Sequence, residues 1–171
     1  MKRPQPSEYF EFYAEYISLV KSENIIREME EQLLDLQALT AMVSTDKEEY
    51  AYAPEKWTIK QVIGHIIDAE RIMAYRALRI SRKDKTNLSG FDEDVFVANS
   101  NFNSRTLYDL THEFSLVRES NIALFRSFNE EMISEMGNAN EKGISVRALM
   151  FIIVGHTRHH MNVIREKYLS E

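Results

Sequence analysis

Apolar residues recur at spacings of three and four positions along four long stretches of this sequence, a pattern typical of amphipathic helices. The stretches predict helices over residues 25–43, 59–82, 105–129 and 145–169. Start signals agree with them: Thr58 precedes Gln61 by three positions, as in a capping box, and Ser104 and Ser145 precede the last two stretches. Only five glycines and three prolines occur in 171 residues, so little interrupts these helices.

Shorter segments complete the predicted fold. A short helix is expected from Ser7 through Leu19, within an N-terminal extension of residues 1–21. The segment Lys83–Ser104 is predicted to be a long crossover loop, with a helical turn starting at Asp94 or Asn99. A polar connection over residues 130–143 should turn at Gly137-Asn138. The fold class is therefore all-α: a four-helix bundle with a core of about residues 22–169, in a single domain spanning residues 1–171.

Charge and composition exclude several classes of protein. The net charge of −6 argues against a nucleic-acid-binding protein, which usually carries a basic patch. No apolar run approaches the roughly 20 residues that a membrane span needs, and the N-terminus lacks the apolar core of a signal peptide. We therefore expect a cytoplasmic location and no membrane partner. Because the chain has no cysteine, any bound metal must be held by nitrogen and oxygen atoms.

Three histidines occupy positions where the helical pattern calls for apolar residues. His156 and His160 are four residues apart on the stripe of the last predicted helix, so their side chains should project from one face. His65 lies on the inward stripe of the second predicted helix. Neutral imidazoles buried in one core are hard to satisfy without a shared partner, and three histidines with an open fourth position are typical of catalytic zinc-type sites. The pattern predicts one divalent metal ion held by His65, His156 and His160.

Alternatives to this assignment remain open. Each inward histidine could instead be a core residue satisfied by hydrogen bonds. His159 could replace His160 as a ligand, although the helical period rotates it off the apolar stripe. His112, between Thr111 and Glu113, is predicted to lie on the surface. Asp68 and Glu70 could orient the imidazole of the second helix, but solvated helix charges are the commoner explanation.

The order of several short motifs resembles the DinB/YfiT-like superfamily. The motifs are residues 57–71 (WTIKQVIGHIIDAER), 76–79 (RALR), 90–94 (GFDED), 145–149 (SVRAL) and 155–160 (GHTRHH). The resemblance implies an up-down-down-up bundle that holds a divalent metal, often nickel or zinc, through three histidines. Matched by position, these are His65, His156 and His160.

Two classes of function remain open, and the resemblance implies the reactions of the first. As an enzyme, the protein would be a metal-dependent hydrolase or a low-molecular-weight-thiol S-transferase acting on a small-molecule substrate, with a water or thiol activated at the metal. The Lys83–Ser104 connection would line the mouth, and Arg76, Arg79 or Arg105 could bind an anionic substrate. The alternative is a non-enzymatic, stress-related metal-binding module that acts through its surface, including as a homodimer.

Overall fold

The computed structural model describes residues 1–170. Its helices are α1 (Ala14–Ser18), α2 (Ile25–Ala41), α3 (Ile59–Ser81), α4 (Glu93–Ala98), α5 (Leu107–Arg126), α6 (Glu130–Ser134) and α7 (Val146–Val163), which a π-helical turn (Ile164–Tyr168) extends. Three short strands, β1 (Asn87–Leu88), β2 (Met136–Ala139) and β3 (Lys142–Ser145), form one small sheet. No helix among these residues is both long and apolar enough to span a lipid bilayer.

The four long helices, α2, α3, α5 and α7, form the predicted bundle. Both α2 and α3 pack against α5 and α7. Contacts near the two ends of each pair show that α3 runs parallel to α5 and antiparallel to α7, whereas α2 runs antiparallel to α5. The contacts that fix these directions are Lys60–Asn103 with Glu70–Arg118, Trp57–Tyr168 with His65–His156, and Glu30–Arg126 with Gln37–Ser115. The all-α class and the up-down-down-up arrangement are confirmed; the assignment of residues 1–171 to one domain stays a prediction.

Side-chain caps fix where the bundle helices begin. The predicted capping box is present, because the Thr58 hydroxyl accepts from the Gln61 backbone N–H while the Gln61 side chain accepts from the Thr58 backbone N–H. Ser145 caps α7 as predicted. The cap of α5 is Thr106 and not Ser104, because Ser104 closes a short 3₁₀ turn and cannot also start the helix. The capped ends set the register with which α3 and α7 present their inner faces.

The N-terminal segment, residues 1–20, differs from the single helix predicted from Ser7. Two 3₁₀ turns precede α1, and Tyr9 and Phe10 between them are extended. The Glu8 carboxylate accepts from the Gln5 backbone N–H and closes the first turn, after which the extended residues carry the chain towards α7. There α1 packs directly on α7. The short N-terminal helix is therefore real but begins only at Ala14.

The connections contain structure that the sequence patterns did not predict. β1 pairs in parallel with β2, and β2 forms a hairpin with β3. The hairpin turn falls at Asn140-Glu141, where both residues have positive φ angles of 51° and 61°, so the predicted turn at Gly137-Asn138 is wrong. In the crossover, Asp92 caps α4, and neither Asp94 nor Asn99 begins a helical turn.

Candidate metal centre

The two central helices bring the three predicted histidines together. His65 comes from α3, and His156 and His160 lie one turn apart on α7. The Nε2 atom of His156 is 2.9 Å from that of His65 and 3.1 Å from that of His160. Ring nitrogens of all three lie within 4.8 Å of one another. Tetrahedral coordination with metal–nitrogen bonds of about 2.05 Å places ligand atoms about 3.3 Å apart, so this spacing suits one small divalent ion.

The three imidazoles cannot satisfy one another. Each neutral ring nitrogen either donates one proton or offers one lone pair, and all three Nε2 atoms converge on a single point. His156 can therefore pair with His65 or with His160, but not fully with both. A cation at that point would accept all three lone pairs at once. The donor set thus fits a metal ion better than it fits a hydrogen-bonded core.

The surroundings keep these side chains neutral. Burial, with a smaller contribution from the nearby His159, lowers the pKa of His65 to about 4. Burial, reinforced by the neighbouring imidazoles, also lowers the pKa of His156 and of His160 well below the ordinary value. At neutral pH the three rings therefore present unprotonated nitrogens, which is the form that metals bind.

Aromatic side chains hold the rings from two sides. The Trp57 ring lies against His65, with their centroids 4.8 Å apart. The Tyr16 ring meets His156 edge-on at 5.3 Å and His159 at 5.4 Å. His159 thus packs on the N-terminal segment and stands outside the group whose nitrogens converge. His112 is exposed, as predicted, and stacks beside Tyr108 on α5.

Behind the histidines lies a buried polar network that links all four bundle helices. Its centre is the ion pair between Arg118 on α5 and Glu70 on α3. Arg118 also donates to Gln32 on α2 and to Thr157 on α7, both at 2.9 Å. Thr157 directly follows His156, so the network restrains the part of α7 that carries the histidines.

This network corrects one prediction about the site. Glu70 is neither a solvated helix charge nor a partner of His65, because its carboxylate is buried against Arg118 and Asn121. In the part of the chain that the structure describes, Asp68 also makes no hydrogen bond to His65. A signal for the ion pair was present in the sequence: Glu70 and Arg118 carry opposite charges, and each stands on the apolar stripe of its own helix.

A cavity of about 340 Å³ opens directly onto His65 and His156. We call it the aromatic cavity, because aromatic side chains of the N-terminal segment and the crossover form much of its wall. Its lining includes Phe10, Tyr13, Tyr16, Arg76, Phe91 and Lys142. The predicted role of the crossover at the mouth agrees with this position, since Phe91 and Glu93 also line it.

A second cavity, also about 340 Å³, reaches the cluster from the side of His160 and is bordered by Trp57 and Tyr168. A larger one of about 630 Å³ lies between α2 and α5 and contains none of the three clustered histidines. The aromatic cavity and its neighbour are therefore the candidate site because they contact the clustered histidines, although the cavity between α2 and α5 is larger.

The comparisons with known proteins bear on this geometry. The family model of the DinB superfamily matches residues 28–164, which include all three histidines. The chain belongs to the DinB superfamily. Among solved structures, this DinB protein is similar to YfiT from Bacillus subtilis, with a TM-score of 0.74 and 16% sequence identity. The match covers 96% of this chain and 90% of YfiT, so the two share a fold.

YfiT is described as a "probable metal-dependent hydrolase with an unusual four-helix bundle topology". No curated protein matches the DinB chain described here.

Proposed function

We propose that this protein is an enzyme that binds one divalent metal ion, nickel or zinc, through His65, His156 and His160, and that it acts on a small molecule as a hydrolase. The observation that carries the proposal is the convergence of three Nε2 atoms beside a cavity of substrate size. Membership of the DinB superfamily and the description of YfiT support it.

A divalent ion on these ligands would supply Lewis acidity and lower the pKa of a water or thiol that it binds. The chain's own residues have distinct tasks around it. The three imidazoles hold the ion while Trp57 and Tyr16 fix the orientation of two of the rings. Thr157 anchors α7 to the buried network, which limits movement of His156. The aromatic cavity positions the substrate beside the cluster.

A second candidate is a thiol S-transferase. Such a reaction needs two substrates, and two separate cavities reach the histidine cluster, one beside His65 and His156 and the other beside His160. Each cavity is large enough for part of a small molecule. A low-molecular-weight thiol would occupy one of them and its acceptor the other.

The first test is the metal content of protein prepared without a histidine tag. After reconstitution with nickel or zinc and removal of excess ion, elemental analysis should find about one equivalent per chain, because the described residues contain one such histidine cluster. His112→Ala should leave the content unchanged. Less than a tenth of an equivalent would end the proposal.

The second test asks whether the bound ion has an open position. With cobalt in the site, azide or a small thiol should change the visible spectrum if a coordination position is available. The chain has no cysteine, so a new thiolate charge-transfer band can arise only from the added thiol. Silence towards both ligands in fully loaded protein would favour the non-enzymatic metal-binding module. A response to thiol far above that to azide would favour the transferase.

A further inference from the structure

Arg76 is a buried cation in the wall of the aromatic cavity. It lies on α3, its relative exposure is 3%, and its Nη2 atom donates to the Ser89 carbonyl oxygen at 2.6 Å. It also donates to the Met73 sulfur over a long distance, 3.6 Å, and the Tyr13 hydroxyl is a further polar neighbour. A guanidinium has five N–H donors, so these neutral partners use only part of its capacity and none of them balances its charge.

No carboxylate within residues 1–170 forms an ion pair with Arg76. The two other arginines predicted to bind an anion already form ion pairs, Arg79 with Asp84 and Arg105 with Asp109. Arg118, which is equally buried, is matched by Glu70. A buried charge without a partner is costly, and such charges are normally paired or bind a ligand. Arg76 is therefore the candidate left from the three arginines predicted to bind an anion.

The charged side chains that face the cavity leave Arg76 without a close counter-charge, so an anionic ligand can supply it. Burial lowers the pKa of the Arg76 guanidinium, but the Tyr13 hydroxyl beside it opposes that effect, and arginine stays protonated at neutral pH. Lys142 also lines the cavity and lies over the Phe10 ring at 5.0 Å. One carboxylate, that of the exposed Glu93, is at the rim.

The positions along α3 indicate how a ligand would lie. His65, Ala69, Met73 and Arg76 follow one another at helical spacing and all line the cavity. Their order places the histidine cluster at one end, apolar side chains in the middle and the guanidinium at the other end. Eleven residues of helix separate the Cα atoms of His65 and Arg76 by about 16 Å. This separation leaves space for an apolar segment of several carbon atoms between the two groups.

We propose that Arg76 forms an anion subsite that binds the carboxylate of a small substrate with an apolar, aromatic or alkyl body, whose reacting group then lies at the histidine cluster. Lys142 adds long-range attraction at the entrance. This inference rests on the proposed function for its reaction, but the subsite itself requires no metal.

The test is calorimetric titration of the metal-free, full-length protein with 4-phenylbutyrate, compared with its neutral analogue 4-phenylbutanamide. The carboxylate should bind roughly tenfold or more tightly than the amide, because a charge-assisted hydrogen bond to a buried guanidinium is lost in the analogue. Acetate, which lacks the apolar body, should bind more weakly than 4-phenylbutyrate. Equal binding of acid and amide, or no binding of either, would overturn the proposal.

Variants of two arginines on α3 complete the test. Arg76→Met keeps an unbranched apolar side chain but removes the guanidinium, and it should weaken 4-phenylbutyrate binding roughly tenfold or more, while Arg76→Lys should retain part of the affinity. Arg79→Met removes a cation that already has a partner, so it should change affinity less than about twofold. Unchanged binding by folded Arg76→Met would assign Arg76 a structural role only. If that variant fails to fold, Arg76→Lys and the amide comparison decide the matter.

Failure of this proposal and failure of the proposed function give different results. Protein that binds no metal yet prefers the carboxylate would retain the anion subsite and lose the metal-dependent enzyme. Protein that binds metal in full yet treats acid and amide alike would lose only the subsite.

Discussion

The Arg118 guanidinium and the Glu70 carboxylate form a bidentate ion pair in the middle of the bundle, with Nε–Oε1 and Nη2–Oε2 distances of 2.8 and 2.7 Å. Both side chains are almost completely withdrawn from solvent. The remaining donors of Arg118 reach α2 and α7, and its guanidinium also lies 4.8 Å from the centroid of the Phe114 ring. One residue of α5 therefore bonds to all three of the other bundle helices.

Removal of one member of this pair should be severely destabilising. Glu70→Gln leaves a buried guanidinium without its counter-charge, and the expected loss in the free energy of unfolding is roughly 3–5 kcal/mol. Urea denaturation monitored by circular dichroism measures it. The exposed pair Arg27–Glu31 provides the control, since Arg27→Ala should cost far less than Glu70→Gln. A Glu70→Gln cost as small as the control would show that the network adds nothing to stability.

His160→Ala should reduce metal affinity far more than His159→Ala. The Nε2 atom of His160 lies 3.1 Å from that of His156, whereas the His159 ring packs against Tyr16. Loss of one of three ligands should lower affinity by at least the 10–100-fold that loss of a hydrogen-bonded partner of a ligand costs. Competition with a chromophoric chelator measures both variants. Equal losses would mean that His159 takes part in binding.

Gly155→Ala should detach the N-terminal segment from α7. A Cβ atom at this position would lie 1.9 Å from the Tyr16 carbonyl oxygen, and backbone cannot move aside as a flexible side chain can. Limited proteolysis should then cut residues 1–20 faster, although alanine would otherwise favour the helix by up to about 1 kcal/mol.

The matched substitution is Gly143→Ala, where the new Cβ would meet only the Met136 side chain at an ordinary 3.8 Å. Its proteolysis pattern should match that of the unmodified protein. Protection of residues 1–20 in Gly155→Ala equal to that in this control would contradict the close approach.

The metal-free protein should lose stability as the pH falls from 7 to 5. The unfolded chain takes up protons on its histidines near pH 6.5, whereas folded His65, with its pKa of about 4, stays neutral over this range. Because the unfolded state then binds more protons, the free energy of unfolding decreases with falling pH, by up to roughly 1.4 kcal/mol per pH unit for each such histidine.

Urea denaturation at several pH values measures this slope, and His65→Gln should make it shallower. Most carboxylates of the unfolded chain titrate below this window, so they contribute little to it. A flat profile between pH 7 and 5 would show that the buried imidazoles take up protons in the folded protein over the same pH range as in the unfolded chain.

The proximity of His156 and His160 was predictable because helical periodicity determines which residues of one helix share a face. His156 and His160 were expected one turn apart, and they lie so on α7. The Glu70–Arg118 pair carried the same kind of signal, but single charges in helices are usually solvated, and only the relative position of α3 and α5 shows that these two meet. The apolar stripe of a single helix does not show which residues of another helix it will contact.

The small sheet was not predictable for a different reason. β2 contains Gly137 and Asn138, which disfavour strands, and its conformation comes from packing rather than propensity. A Cβ atom on Gly137 would lie 2.5 Å from the Ile80 side chain, so glycine is needed where this strand crosses the end of α3. Asn140 then accepts the positive φ angle that the hairpin turn requires. The crossover similarly contains α4, whose cap at Asp92 is evident only from its hydrogen bond.

Gly155 contacts Tyr16 where two parts of the chain, the bundle helices and the N-terminal segment, meet to form the candidate site. The histidines and Arg76 belong to long helices whose alignment the buried network maintains, whereas Phe10, Tyr13 and Tyr16 come from the N-terminal segment, which packs on α7 through α1. Phe10 and Phe12 are largely exposed, so changes there should cost the bundle little. Substitutions in this part of the cavity wall can therefore change which ligands bind, while the helices that carry the histidines and Arg76 stay unchanged. Libraries that seek new selectivity should be concentrated in residues 9–16.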